Sequence, residues 1–362
     1  MKLKISFANG WILGVIALTT RLFVGATLDW PELHIAGWIG TLVGLVICMP
    51  LIWACGVFSN ENDSSAPMKA MEKKAGVLPV TLLKTVLLAG LLWDAAGVSI
   101  MSIETMSYAT MVEIRGIYFL LPLYIAMFSV LLTNGSGVGG VARLWAKVIP
   151  LLFLIVLIQR FSNYEFRWLR PFLGEGGKQI ISGGISSAGW LAPAAVLWLI
   201  AEPDQKSRRS CWQTPAIMIL ISVLFAAGLL ALHAAMTPVQ ISGNETRIFR
   251  MDSILTNGRA TLGSQLPVLI LWYASQLITL MFELFLSAAL LQQIVLRLNG
   301  VVCVFLINAA ACALAWNGLA GQEQMMLLTD WEYLLIAVPF FLVLTIAYLK
   351  DRKAKKICED CG

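Results

Sequence analysis

An all-α integral membrane protein of about ten transmembrane helices is the fold class this sequence predicts, on three observations. Of its 362 residues 59% are hydrophobic and 13% charged, where a soluble domain carries about 25% charged residues. Mean hydropathy is +0.80. Apolar windows of about 20 residues, long enough to cross a bilayer as a helix, recur along the whole chain.

The first span, 8–27, follows Met1-Lys2-Leu3-Lys4 and has no small-residue cleavage site, so it is expected to remain as a helix. The second is 35–56. The loop at 57–77 is polar, then basic at Lys73-Lys74, and reads as a short cytoplasmic re-entry. Spans three to five are 78–108, 114–133 and 141–159. Spans six to ten are 179–201, 212–235, 264–294, 298–319 and 331–349. The third and eighth are long enough to tilt or protrude. Between spans four and five, Gly135-Ser-Gly137-Val-Gly139-Gly140 matches G-x-G-x-x-G. It follows a membrane span rather than a strand, so a flexible helix connection is expected there and not a dinucleotide site.

An even span count puts both termini on one side, and the positive residues choose which. Of the 26 Lys and Arg, 16 fall on the terminus side and 8 on the other, which predicts cytoplasmic termini. The net charge of +5 mostly reflects this bias and gives no reason to invoke nucleic acid. Trp30, Trp38, Trp168, Trp212 and Trp331 lie near span ends, as an aromatic belt does.

The chain divides near residue 170 into five-helix sets, 1–170 and 171–349, followed by a basic tail at 350–362. Spans one and six both look interrupted. Span one carries Thr19-Thr20-Arg21 in mid-segment and Gly25 shortly after. Span six opens with Ser182, Gly183, Gly184, Ser186, Ser187 and Gly189 before turning solidly apolar. Gly weakens helices, and Ser competes for backbone hydrogen bonds. Breaks are therefore expected near 19–25 and 182–189. Corresponding broken helices in two halves of odd span number point to an inverted-repeat transporter with its site at the bilayer midplane.

A charge within a span is costly and marks a candidate function. Arg21 can hold a ligand carboxylate at a helix break, or it can form a structural ion pair with Asp94 or Glu283. Asp94 and Glu283, each mid-span, are either proton or cation sites or interhelical bonding partners. The expected ligand site lies between the two breaks. It comprises Thr19, Thr20, Arg21, Gly25, Ser182, Gly183, Gly184, Ser186 and Ser187, with Trp190 as an apolar wall. Unwound helix ends would offer N–H groups to a carboxylate and carbonyls to an amine, the pair of sites a zwitterion needs.

No cofactor, metal site or catalytic cluster is expected. There is no H-E-x-x-H, G-x-S-x-G or Walker loop, and the chain has only 2 His, so an enzyme is not the reading. Of 7 cysteines, Cys48, Cys55, Cys303 and Cys312 fall in spans as packing residues, and Cys358 and Cys361 belong to a solvated tail. Asn244-Glu245-Thr246 is a glycosylation sequon, without meaning outside a secretory pathway.

Several segments resemble the spore germination permease family, the B subunits of nutrient germinant receptors, within the amino acid–polyamine–organocation superfamily. They are Arg21-Leu22-Phe23-Val24-Gly25 and Ala36-Gly37-Trp38-Ile39-Gly40. The lead-in from Gly137 to Arg143 before Lys147-Val148-Ile149-Pro150 is a third. The best is Leu169-Arg170-Pro171-Phe172-Leu173-Gly174-Glu175-Gly176, running into the Gly/Ser-rich sixth span. Family members often carry a Glu in mid-span six, where this chain has Trp190-Leu191-Ala192-Pro193-Ala194. The resemblance implies a LeuT-like 5+5 inverted repeat with broken helices 1 and 6. It also implies a nutrient-binding subunit, commonly for an amino acid, in the spore inner membrane. An A-type membrane subunit and a C-type lipoprotein would be its partners. A proton- or cation-coupled amino acid transporter is the alternative on the same fold.

Overall fold

A computed structural model describes residues 7–33, 36–60, 67–110, 116–159, 165–170, 176–200, 213–236, 262–318 and 329–360. The sequon, most of the 236–263 loop and Cys361 lie outside the described residues. Ten helices occupy the ten expected spans: α1 (Phe7–Leu33), α2 (Gly37–Asn60), α4 (Val77–Thr110), α5 (Gly116–Leu132), α6 (Asn134–Gln159), α7 (Gly177–Ile200), α8 (Gln213–Met236), α9 (Leu262–Ile294), α10 (Gly300–Gly318) and α11 (Thr329–Asp360). An eleventh, short helix α3 (Pro67–Ala75) stands where the polar loop was expected. Among the described residues six helices are long and apolar enough to cross a membrane by themselves, and α5 with α6 passes as a pair bent by 113°.

The helices sort into two groups. In one, α1, α2, α7 and α8 pack on each other; in the other, α4, α5, α9 and α10 do. Each group takes two consecutive spans from either side of residue 170. α6 lies against α1 and α9, and α11 against α4 and α7.

The two expected breaks are corrected by the structure. α1 is helical throughout 7–33 and α7 throughout 177–200. In α1 the suspect hydroxyls stay within the helix: Thr19 Oγ1 donates to the Val15 carbonyl (2.7 Å) and Thr20 Oγ1 to the Ala17 carbonyl (2.9 Å). In α7 the small residues form a packing seam. A Cβ on Gly44 of α2 would stand 2.6 Å from the Ser187 Cβ and 3.0 Å from the Gly184 carbonyl oxygen. A Cβ on Gly40 would stand 3.3 Å from the Gly183 backbone, and one on Gly184 would stand 2.5 Å from Val43 Cγ1. In a membrane small residues let helix backbones approach, and the packing gained holds a Gly-rich stretch helical.

The glycines at 135–140 are also helical, which corrects the expected flexible connection. The turn is Thr133, with Asn134 left-handed at φ +64°, and the glycines form the first turns of α6. There Asn9 of α1 approaches: its Nδ2 donates to the Gly135 carbonyl (3.4 Å) and its Oδ1 accepts from Arg143 Nη2 (2.7 Å). Gly139 leaves room for the Asn9 side chain.

Candidate ligand-binding site

Four helices meet at one buried polar cluster. α1 brings Arg21, α4 brings Asp94, α9 brings Glu283 and α7 brings Trp190. The Arg21 side chain is wholly buried at 0% exposure, with Asp94 at 6% and Glu283 at 0%. Arg21 Nη1 donates to Asp94 Oδ2 (2.5 Å) and to Glu283 Oε1. Its Nε donates to the Trp190 carbonyl (3.1 Å), and its Cζ lies 5.0 Å from the Trp190 ring centroid. One turn of bonding beside it, the Thr20 and Thr279 hydroxyls are 3.2 Å apart.

Both readings of Arg21 as an ion-pair partner are realised at once. A guanidinium desolvated this completely is stable only when charge and hydrogen bonds compensate it, and two carboxylates, a carbonyl and an indole face do so. With both carboxylates ionised the cluster is one positive charge short, so it is chemically able to accept a proton or a cationic group. Trp190 Nε1 and Ser287 Oγ are buried with no hydrogen-bond partner among the described residues. The cluster also bridges the two helix groups, with Arg21 and Trp190 on one side and Asp94 and Glu283 on the other.

Of the expected ligand residues, Thr20, Arg21 and Trp190 are brought together here with Asp94 and Glu283. Ser186 is buried one turn before Trp190 on α7. Gly183, Gly184 and Ser187 lie on the seam with α2, and Ser182 is exposed. Gly25 lies one turn past Arg21 within continuous helix. Thr19 lines a separate apolar cavity of about 250 Å³ between α1, α6 and α8, with Trp11, Ile149 and Phe225. Thr279 was missed, although a signal for it exists. Ser275, Thr279, Glu283 and Ser287 recur every four residues on a largely apolar helix, and all four are buried.

No protein-family model matches the sequence, and no curated protein does. Solved structures match in fold. The manganese transporter of Eremococcus coleocola, in complex with an aromatic bis-isothiourea substituted compound, superposes with a TM-score of 0.63 at 11% identity, over 94% of this chain and 77% of that one. Mhp1, a nucleobase-cation-symport-1 family transporter closed on bromovinylhydantoin, gives 0.61 at 12% identity, over 90% and 75%. A Na⁺-coupled sialic acid symporter in its outward-open state gives 0.59 at 11%, over 93% and 77%. The chain is thus a multi-pass membrane protein with the LeuT-type transporter fold. At these identities the likeness establishes the fold alone.

Proposed function

We propose that this protein binds a small zwitterionic nutrient, such as an amino acid, where α1, α4, α7 and α9 meet. We further propose that it serves as the transporter-like subunit of a spore germinant receptor. The observation that carries the reading is the Arg21 cluster, which ties together the two helix groups whose relative movement would signal occupancy. A ligand carboxylate would take the Arg21 guanidinium from one of its protein carboxylates. The carboxylate so released would take the ligand amine. Ligand affinity differing between the two arrangements then biases the equilibrium, and a partner reads the shift. In this reading Gly25, Ser186 and Trp190 flank the ligand. Gly183, Gly184 and Ser187 act through α7 packing, and Asp94 and Glu283 are the exchangeable anions. The partners are the A-type membrane subunit and C-type lipoprotein that the sequence resemblance implies, in the spore inner membrane with cytoplasmic termini.

A second reading, a proton- or cation-coupled amino acid transporter, is favoured by the likeness to solved secondary transporters. Two measurements, each comparing the unmodified chain with one variant, separate the readings. Arg21→Lys keeps the charge but loses the forked geometry. A sensor predicts a weakened germination response to an amino acid panel, and no uptake by proteoliposomes of the unmodified chain. Uptake of labelled amino acids by those proteoliposomes, abolished in Arg21→Lys, would establish the transporter instead.

A further inference from the structure

The short helix α3 offers a second surface, distinct from the central cluster. Its inner face is Met68, Met71 and Ala75, each at 0% exposure and spaced as one helix face. Its outer face is basic, with Lys69, Lys73 and Lys74 exposed. Among its contacts, two tie it to neighbouring helices. Glu72 pairs with the buried Lys84 of α4 (2.6 Å), and the Ala75 carbonyl accepts from Lys350 Nζ of α11 (2.6 Å).

Two independent chain segments place this helix at a bilayer surface. Just past Gly76, α4 turns outward-apolar with Leu78 at 79% exposure, followed by Leu82. α11 is outward-apolar up to Tyr348 and Leu349, and its next residue is the Lys350 that bonds α3. Both helices therefore leave the hydrocarbon at one level, and that level is the C-terminal end of α3. The three lysines then lie at headgroup depth, on a helix packed against α2 and α7 of one group and α4 of the other.

We propose that the outer face of α3 is a binding surface for anionic phospholipid headgroups, and that a bound headgroup phosphate holds α3 onto the bundle. The favoured partner is lipid rather than an acidic protein, because the lysines sit beside side chains that must face hydrocarbon. A lysine near an anionic surface gains roughly a five-fold preference per residue. This inference is independent of the proposed nutrient site.

Met71→Cys places a thiol under α3, and its alkylation is quantified on the α3 peptide by mass spectrometry, so the native cysteines stay in place. The full chain is compared in phosphatidylcholine bilayers with and without phosphatidylglycerol. Phosphatidylglycerol is expected to slow alkylation by roughly five-fold or more, the factor of a single contact. In the exposed-face variant Lys69→Gln/Lys73→Gln/Lys74→Gln that protection should vanish, while thermal stability in phosphatidylcholine is retained. Equal protection in the triple variant would overturn the proposal, as would no effect of phosphatidylglycerol on either protein. Inorganic phosphate protecting equally well in phosphatidylcholine would also overturn it, by assigning the surface to free anions.

Discussion

Removing Arg21 should cost more than removing the whole cluster to which it belongs. In Arg21→Met, a side chain of similar length replaces the guanidinium, and Asp94 and Glu283 remain buried with no cation between them. Breaking a buried ion pair from one side costs about 3–5 kcal/mol, because the surviving charge stays desolvated. The Trp190 carbonyl also loses its 3.1 Å bond, although it keeps its place in the α7 backbone. Replacing all three groups in Arg21→Met/Asp94→Asn/Glu283→Gln removes the uncompensated charge, so most of that loss should return. The assay is thermal unfolding in detergent, followed by a thiol-reactive dye that reports the buried Cys48 and Cys55. For a chain of this size the single change should lower the midpoint by roughly 4–7 °C, with the triple variant recovering at least half. An unchanged midpoint in Arg21→Met would refute the cluster as a structural tie. A triple variant no more stable than the single one would refute the charge explanation and leave only lost packing.

Gly44→Val should lower folded yield and shift the midpoint downward, because its Cβ would meet the α7 backbone, and overpacking of this kind costs about 1–3 kcal/mol or more. Normal stability by the same dye assay would show that α2 and α7 are not seamed as described. Gly184→Val should weaken ligand response and stability together, since its Cβ would meet Val43 at 2.5 Å; a response lost at full stability would instead place ligand at Gly184. Thr279→Val, measured by the same unfolding, should cost about 1 kcal/mol through the lost Thr20 hydroxyl pair. Ser99→Ala should cost about 1–3 kcal/mol, because the buried Tyr124 hydroxyl loses its 2.8 Å partner.

What was legible in the sequence follows from what the bilayer imposes. Hydrocarbon forces every backbone polar group into a helix, so span positions show up directly as apolar length; each of the ten spans coincides with a helix, although α6 begins seven residues before its span and α11 runs eleven residues past its own. Buried charge is equally visible, and Arg21, Asp94 and Glu283 stood out because each interrupts an apolar run. Their convergence was legible only as one of two readings, a pair of Arg21 with Asp94 or with Glu283, because nothing local relates residue 21 to residue 283. The Gly/Ser run of α7 was visible and its meaning was not. Small residues are needed both where a helix unwinds and where two helices touch, and only the facing Gly40 and Gly44 of α2 decide for contact. The Thr19-Thr20 pair misled for a related reason, since a hydroxyl that bonds its own helix carbonyl looks in sequence like one that leaves the helix. α3 escaped because its nine residues are too short and too charged to register as a span.

The place of the small residues on α7 suggests how that helix works. α7 is held along its first half by the glycine seam with α2 and, just beyond, by the Trp190 carbonyl at Arg21. The seam joins it to its own group, whereas the cluster joins that group to α4 and α9. Movement of one group against the other therefore leaves the seam intact and falls on the cluster. Packing contacts of small residues have no partner that a solute can imitate. A guanidinium between two carboxylates does, since any carboxylate can stand in for either. Under the proposed function, the charged tie is thus the one a nutrient would exchange into. A response to ligand should accordingly survive conservative changes in the seam that preserve folding, such as Ser187→Ala, and fail with Asp94→Asn or Glu283→Gln. If Ser187→Ala alone abolished the response in a stable protein, movement would run through the α2–α7 contact, and the division into two groups would not be the functional one.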